Sequence, residues 1–236
     1  MASLECTNLT KRFGGNVAVN DCTFSVRKSQ IVGLIGPNGS GKTTVFNLIS
    51  GVHKADEGEI LFNNENIKGL KSHEIAWKGI GRLFQIARIF PTMTVLENML
   101  AASYYLNEER QRSTEKALSL LEMMDLVHLQ DEYAKNLSGG QQRLLEFIRL
   151  FMMDITLALL DEPFVGVHPT LIEKMIDQIK YWNEKGKTFL VVSHDIRSIM
   201  SICNPVLVLY NGQVIAEGTP SAIQQNKNVI QAYLGV

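Results

Sequence analysis

The chain has 236 residues, a net charge of −1, and 45% hydrophobic against 20% charged residues. This balance excludes a disordered chain, fits one large α/β domain, and provides no basic surface for binding nucleic acid. The three cysteines, at positions 6, 22 and 203, lack CxxC spacing, which excludes a disulfide framework or a zinc site of that type and suits a reducing cytoplasm. No uncharged apolar run reaches the roughly 18 residues that span a bilayer, so we expect any membrane role to depend on a partner.

Short apolar and helical runs alternate along the chain. Strands are predicted over 23–26, 31–35, 58–62, 79–84, 156–160, 189–192 and 206–209. Helices are predicted over 42–50, 95–124, 170–182 and a stretch that follows Gly140. This alternation predicts an α/β fold with a largely parallel sheet.

A phosphate-binding loop is predicted directly after the apolar run 31–35. Residues 36–43 fit the pattern GxxxxGK[ST] in the strand-then-helix setting that it requires, which disfavours a chance glycine-rich turn. Glycines let backbone N–H groups converge on phosphate oxygens, and the following helix adds its positive dipole end. Lys42 is expected at the β- and γ-phosphates, and the Thr43 hydroxyl is expected to ligate Mg²⁺. The candidate nucleotide-binding residues are Gly36, Pro37, Asn38, Gly39, Ser40, Gly41, Lys42, Thr43 and Thr44.

Two adjacent acids, Asp161 and Glu162, follow the apolar run 157–160. Ligands of open α/β sheets bind at the carboxyl ends of the strands, where these acids would lie. Asp161 is expected in the magnesium shell, and Glu162 is expected to activate the attacking water as a general base. In isolation a solvated Asp-Glu turn is the simpler interpretation, but the phosphate loop in the same chain favours a catalytic pair.

Residues 137–141 read Leu-Ser-Gly-Gly-Gln, here called the signature segment, and with it the sequence resembles the ATP-binding cassette ATPases along its whole length. A serine hydroxyl and glycine N–H groups at a helix start can hold an anion. The resemblance implies that Ser138, Gly139, Gly140 and Gln141 contact ATP bound to another subunit, in a homodimer or with a second cassette ATPase. Alternatively, Ser138 is only a helix N-cap, which leaves the following Gly-Gly-Gln unexplained.

The same resemblance assigns roles to three further residues. It implies that Phe13 stacks on adenine, that Gln85 ligates Mg²⁺ and faces a transmembrane partner, and that His194 contacts the γ-phosphate and positions the catalytic water. Without the resemblance, Phe13 would be expected in the core. The family's D-loop corresponds to residues 165–169, where His168 replaces the usual Asp or Asn. The other histidines, predicted to be surface residues, are His53, His73 and His128.

The resemblance also implies the fold. We expect a single domain over 1–236 with a P-loop NTPase core, an N-terminal antiparallel β subdomain and an α-helical subdomain inserted at about 86–155. Within the family, residues 87–98 and 216–220 look most like the corresponding segments of importers of branched-chain amino acids. Similar sequences also occur in the lipopolysaccharide export ATPase. The helix over 144–153 is bulkier than the usual Arg- and Ala-rich version.

The function implied is an ATP-binding and ATP-hydrolysing subunit that drives a separate membrane permease from the cytoplasmic face. The cofactors implied are ATP and Mg²⁺, and the partners are a second cassette and the permease. Three alternatives stay open: a scaffold ATPase similar to that of iron–sulfur cluster assembly, a DNA-repair or translation ATPase, and a small-molecule kinase. The signature segment disfavours the kinase. The cargo and the direction of transport lie with the permease, so this chain's sequence leaves both open.

Overall fold

The computed structural model describes residues 2–86 and 88–234. Within them the strands are β1 Ala2–Phe13, β2 Asn16–Arg27, β3 Ile31–Ile35, β4 Glu57–Phe62, β5 Glu65–Asn66, β6 Ile80–Leu83, β7 Leu157–Asp161, β8 Thr188–Val192, β9 Val206–Tyr210 and β10 Gln213–Gly218. The α-helices are α1 Lys42–Ile49, α2 Ser72–Trp77, α3 Val95–Ser103, α4 Arg110–Met123, α5 Gly139–Arg149, α6 Pro169–Glu184, α7 Ile196–Ile202, α8 Pro220–Gln225 and α9 Lys227–Leu234. None of these helices has the length and apolar content needed to cross a membrane.

The strands form two sheets. The larger sheet has the order β10-β9-β3-β8-β7-β6, in which β9, β3, β8, β7 and β6 are parallel and β10 is an antiparallel edge. The smaller sheet has the order β2-β1-β4-β5 and is antiparallel throughout. The predicted largely parallel sheet and N-terminal antiparallel β unit are therefore confirmed.

The predicted strand 23–26 is only the end of β2, and the pairing strand β1 has no counterpart among the predicted elements. The β1–β2 ladder is interrupted by register shifts between Cys6 and Leu9, beside Asn8 and Asp21, whose φ angles are 51° and 49°. An irregularity of this kind shifts the side chains that face the core, so the two-residue alternation is lost locally. A scan for continuous alternation therefore misses most of this hairpin.

The larger sheet is buried on both faces. Along β7, Leu157 and Leu159 pack toward the smaller sheet and α1, whereas Ala158 and Leu160 pack toward α5 and α6. The same division of alternate residues between two apolar layers holds for β8 and β9. A strand covered on both sides needs apolar residues at every position, which explains its continuous apolar sequence.

The chain between β6 and β7 contains helices and turns over its described residues. A continuous helical stretch over 95–124 was predicted, but α3 ends at Ser103 and α4 begins at Arg110. A 3₁₀ turn at 104–106 and a left-handed Asn107, with φ of 51°, separate the two helices. The left-handed conformation ends a helix even where Gly and Pro are missing, because Asn tolerates it.

Candidate functional site

Four loops meet at the carboxyl edge of the larger sheet. They follow β3, β6, β7 and β8, which are near neighbours in that sheet, and they border a cavity of about 490 Å³. Predicted site residues in the lining of this cavity are Phe13, Asn38, Gly39, Gly41, Lys42, Thr43, Thr44, Gln85, Glu162 and His194. The fold therefore gathers residues that are far apart in sequence around one space.

The phosphate loop is closely fitted to its surroundings except at its tip. A Cβ atom on Gly36 would lie 2.1 Å from the Leu209 carbonyl oxygen, and one on Gly41 would lie 2.4 Å from that of Ala18. Gly39, with φ of 79°, has no neighbouring atom within 4 Å in the described chain. The loop therefore excludes side chains at its two ends and leaves the space over Gly39 open for a ligand.

Helix α1 begins at Lys42 without a side-chain cap on its first N–H groups and without an acid in its first turn. Uncapped N–H groups and a positive dipole end make this helix start suited to an anion. The Lys42 ammonium donates to the carbonyl oxygens of Gly36 and Pro37, at 2.8 and 3.0 Å. Burial lowers the Lys42 pKa, and the charges of Glu162 and Asp161 oppose that shift. The loop thus combines the Lys42 cation, held by two loop carbonyls, with an uncapped helix start.

Both predicted acids are buried at the end of β7. Asp161 Oδ2 pairs with Arg82 Nη2 at 2.8 Å, and Glu162 Oε2 accepts a hydrogen bond from the backbone N–H of His194 at 3.0 Å. The other oxygen of each carboxylate, Asp161 Oδ1 and Glu162 Oε1, has no hydrogen-bond partner within the described residues. Buried acceptors of this kind need a cation or a water molecule, so the pair suits a metal with its coordinated water.

The predicted Mg²⁺ site combines ligands of different kinds: a carboxylate, a hydroxyl and a side-chain amide. No group of three His, Cys, Asp or Glu side chains in the described part of the chain could hold a metal ion alone. Thr43 and Gln85 line the cavity, whereas Asp161 is outside its lining in the described chain and contributes one free carboxylate oxygen next to Glu162. Magnesium usually takes one or two carboxylates together with phosphate oxygens and water, so this donor set fits Mg²⁺ when a nucleotide is present.

His194 follows the last residue of β8 by two positions, with its imidazole 56% exposed and Nε2 3.2 Å from Glu162 Oε1. Although this distance is short, the geometry does not make a hydrogen bond to Oε1. His194 lines the cavity, and its backbone N–H holds Glu162. His194 was predicted to contact the γ-phosphate and to position the catalytic water, and its place in the cavity lining leaves that role a prediction.

Phe13 ends β1 and is 44% exposed, so it is not a core residue. Its ring meets the His53 ring edge-on, with 5.2 Å between centroids and 71° between planes. Of the three histidines predicted to be surface residues, His73 and His128 are exposed and His53 is half-buried. Phe13 and His53 are 40 positions apart, and the sequence between them carries no local signal that would have linked the two rings.

The signature segment lies outside the cavity lining of the described chain. Ser138 caps α5 by accepting a hydrogen bond from the Gln141 N–H, and the Gln141 side chain accepts one from the Ser138 N–H. A Cβ on Gly139 would meet no described atom within 4 Å, and one on Gly140 would meet only Leu171 at 3.5 Å. The capping interpretation thus accounts for Ser138 and Gln141, but contacts within the chain do not require either glycine.

His168, which replaces the usual Asp or Asn of the D-loop, caps the start of α6. The exposed His168 accepts a hydrogen bond from the Thr170 N–H through Nδ1 at 3.4 Å and precedes Pro169, the first residue of α6. A neutral imidazole can replace the carboxylate or amide of the usual Asp or Asn as the acceptor at a helix start.

The sequence matches the model of the ABC transporter family over residues 19–165, which is more than half of the chain. The chain belongs to the ATP-binding cassette family. A second family model, described as a branched-chain amino acid ATP-binding cassette transporter, matches residues 213–236 of this cassette.

Relatives support both matches. The chain is 40% identical over 247 residues to the probable branched-chain amino acid transport ATP-binding protein LivG of Archaeoglobus fulgidus, covering 100% of the chain and 96% of that protein. It is 35% identical over 236 residues to the lipopolysaccharide export system ATP-binding protein LptB of Escherichia coli K12, covering 100% and 98%.

Solved structures of the family share the fold. A nucleotide-free ATP-binding cassette from an ABC transporter superposes with a TM-score of 0.89 at 34% identity, with 100% of both chains covered. A dimeric cassette in a post-hydrolysis state bound to ADP and Pi superposes with a TM-score of 0.84 at 28% identity, covering 92% of this chain and 98% of that one. The predicted P-loop NTPase fold is confirmed, and the chain is the ATP-binding and ATP-hydrolysing subunit of an ABC transporter.

Proposed function

We propose that this cassette hydrolyses MgATP in a site shared by two cassettes and so drives a membrane permease for branched-chain amino acids. The observation that carries the proposal is the pair of buried, unpartnered carboxylate oxygens of Asp161 and Glu162 beside the phosphate loop. In this proposal the 236 residues form one domain, and the helical subdomain spans about 86–155.

Each group around the cavity has a defined role in this proposal. Phe13 stacks on adenine, and residues 36–44 hold the phosphates through backbone N–H groups and Lys42. Thr43, Gln85 and Asp161 would hold Mg²⁺, which would supply positive charge to neutralise the phosphate oxygens. Glu162 accepts a proton from the attacking water through its free oxygen, and His194 orients that water and the γ-phosphate.

The second half of each site comes from another cassette. Ser138 and Gly139 of the signature segment are exposed and outside their own chain's cavity, and the two glycines leave the helix start open to an approaching phosphate. Ser138, Gly139, Gly140 and Gln141 of one cassette therefore contact the nucleotide held by the other. The dimeric solved cassette supports this arrangement, with either a second copy or a related ATPase as the partner.

The permease docks on the helical side of the chain at the cytoplasmic face of the membrane. A groove of about 790 Å³ between α3 and α4 is bordered by Met93, Leu100 and Tyr104, and Tyr104 is 87% exposed. Ile86 and Phe90, close in sequence to Gln85, are 81% and 50% exposed. These apolar groups support docking beside Gln85, where the partner would sense closure of the ATP site.

Branched-chain amino acids are favoured as cargo by the match over residues 213–236 and by the LivG relative. The LptB relative, at 35% identity, keeps lipopolysaccharide export as the second candidate. Affinity purification of the tagged chain from detergent-solubilised membranes separates them. Co-purification of a permease that supports leucine uptake is expected. Co-purification of a lipopolysaccharide-export permease, or of soluble partners only, would refute the proposal that the cargo is branched-chain amino acids.

The shared site is tested by trapping. A Glu162→Gln chain with MgATP is expected to run as a dimer in size-exclusion chromatography with light scattering, because ATP persists between the two cassettes. The same variant with MgADP is the control and is expected to stay monomeric. A Glu162→Gln chain that stays monomeric with saturating MgATP, and also when mixed with partner cassettes from the same membranes, would contradict the shared site.

A further inference from the structure

The signature helix α5 carries a row of charged side chains on one face. Arg143, Glu146 and Arg149 are spaced three residues apart, so they lie along the same side of the helix. Arg143 is 4% exposed and Glu146 is 3% exposed. Charged groups are rarely buried to this extent unless their hydrogen bonds are satisfied inside the protein.

Arg143 is satisfied by the backbone around the two catalytic acids. Its Nη2 donates to the carbonyl oxygens of Asp161 and Glu162, at 2.9 and 2.8 Å, and its Nε donates to that of Pro163 at 3.2 Å. A planar guanidinium can bridge three successive carbonyls in this way, whereas the point charge of a lysine cannot.

The segment that Arg143 holds has an unfavourable backbone conformation. Glu162 has a φ of 50°, which is costly for a residue with a long side chain. Its N–H donates to the Val192 carbonyl oxygen at 2.8 Å, while Arg143 binds its carbonyl oxygen on the other side. These contacts fix the direction in which the Glu162 carboxylate leaves the strand.

The same row of side chains holds both ends of the segment that contains Gln85. Arg143 Nη1 donates to the carbonyl oxygen of Phe84 and, at 2.8 Å, to Glu146 Oε2. Glu146 Oε1 accepts from the Arg88 N–H at 3.0 Å, and Arg149 donates to the Arg88 carbonyl oxygen. One face of the signature helix thus contacts the Glu162 segment and the Gln85 segment together.

We propose that Arg143 is a positioning residue for hydrolysis, which fixes the Glu162 carboxylate and transmits movement of the signature helix and the Gln85 segment to it. The proposal rests on the catalytic role proposed for Glu162. Arg143 does not line the nucleotide cavity in the described chain, so it acts through the backbone rather than on the substrate. Binding of MgATP to the phosphate loop is independent of it.

The test is Arg143→Lys, which keeps the charge but cannot bridge three carbonyls. We expect kcat for ATP hydrolysis to fall about 10-fold or more, because small displacements of a catalytic group are costly, while the Kd for MgATP changes less than about 2-fold. The matched control is Lys116→Met, which removes a half-buried cation that donates to the Met152 carbonyl oxygen at 3.0 Å and to neither of the two acids. The control is expected to retain wild-type kcat and Kd.

A double variant separates positioning from a general loss of structure. In a Glu162→Gln background, Arg143→Lys is expected to lower the residual rate by less than about 2-fold, because the group that it positions is already lost. A further 10-fold loss in that background, or wild-type kcat in the single variant, overturns the proposal. If Glu162→Gln alone hydrolyses ATP at the wild-type rate, the catalytic role proposed for Glu162 is wrong, and the proposal for Arg143 that rests on it is wrong as well.

A second variant keeps the test decisive if Arg143→Lys does not fold. Glu146→Gln retains an acceptor for the Arg88 N–H but weakens the bond to Arg143 Nη1. We expect it to lower kcat about 3-fold or more with an unchanged Kd for MgATP, since a charge-assisted bond becomes a neutral one. An unchanged kcat in a folded Glu146→Gln chain would overturn the proposal.

Discussion

The ion pair between Arg82 and Asp161 gives the most quantitative prediction of the structure. Arg82 Nη2 lies 2.8 Å from Asp161 Oδ2, and the two side chains are 6% and 2% exposed. Arg82 Nη1 also donates to the side-chain oxygens of Asn47 and Ser50, both at 2.7 Å, which ties α1 to β6 and β7. Substitution of Arg82 by Met keeps much of the apolar length and removes every one of these bonds.

The expected loss of unfolding free energy follows from the Asp161 carboxylate, which stays buried after Arg82 is removed. Removing one partner of a buried ion pair leaves the other charge without compensation, which typically costs about 3–5 kcal/mol of unfolding free energy. For a chain of this size each kcal/mol lowers Tm by about 2–4 °C, so Arg82→Met is expected to lower Tm by about 6–20 °C. Burial of the guanidinium lowers the Arg82 pKa, while the ion pair with Asp161 opposes that shift.

Urea unfolding followed by circular dichroism, without nucleotide, measures the change. The matched control is Arg12→Met, which removes the Arg12–Glu57 pair at 2.7 Å, where the side chains are 47% and 61% exposed. The control is expected to cost less than about 1 kcal/mol. In the double variant Arg82→Met/Asp161→Asn the stranded charge is gone, so about 1 kcal/mol or more of stability should return.

Two results would refute this reasoning. One is an Arg82→Met chain that loses no more stability than Arg12→Met, which would mean that the buried pair contributes no more than an exposed one. The other is a double variant as unstable as the sum of its single variants, which would mean that Asp161 does not depend on Arg82.

The nucleotide site gives three further predictions. Glu162→Gln should keep MgATP binding and lose about 100-fold or more of phosphate release, because the general base is removed, and near-normal turnover would contradict that role. Lys42→Ala should weaken MgATP binding about 10-fold or more in isothermal titration, since a charged donor to the phosphates is lost, so an unchanged Kd would rule out its role there. Phe13→Ala should weaken ATP binding about 10-fold, because the stacking on adenine is lost. Tripolyphosphate, which has no adenine, is the control ligand and should bind the wild type and Phe13→Ala with equal affinity.

The parts of the protein that the sequence determined are local in the chain. The phosphate loop, the acids after a buried strand and the signature segment are each contiguous, so residue type and spacing carry their chemistry directly. The strands β3, β7, β8 and β9 were predicted for a similar reason, because burial on both faces requires an unbroken apolar run. The roles of individual site residues stay predictions until the variants are measured.

Only the tertiary structure decided which residues support the site. Arg82 is 79 positions from Asp161, and Arg143 is 59 positions from Phe84, so neither contact leaves a periodic or adjacent pattern in the sequence. In the sequence, Arg82 and Arg143 are each an arginine near apolar residues, and no neighbouring residue indicates which distant residue either one contacts. The parallel sheet order brings them together, because it places the ends of β3, β6, β7 and β8 at one edge and packs α5 beside them. A buried guanidinium then binds the carboxylate and carbonyl groups that this edge leaves unpaired, which is a consequence of packing rather than of local sequence.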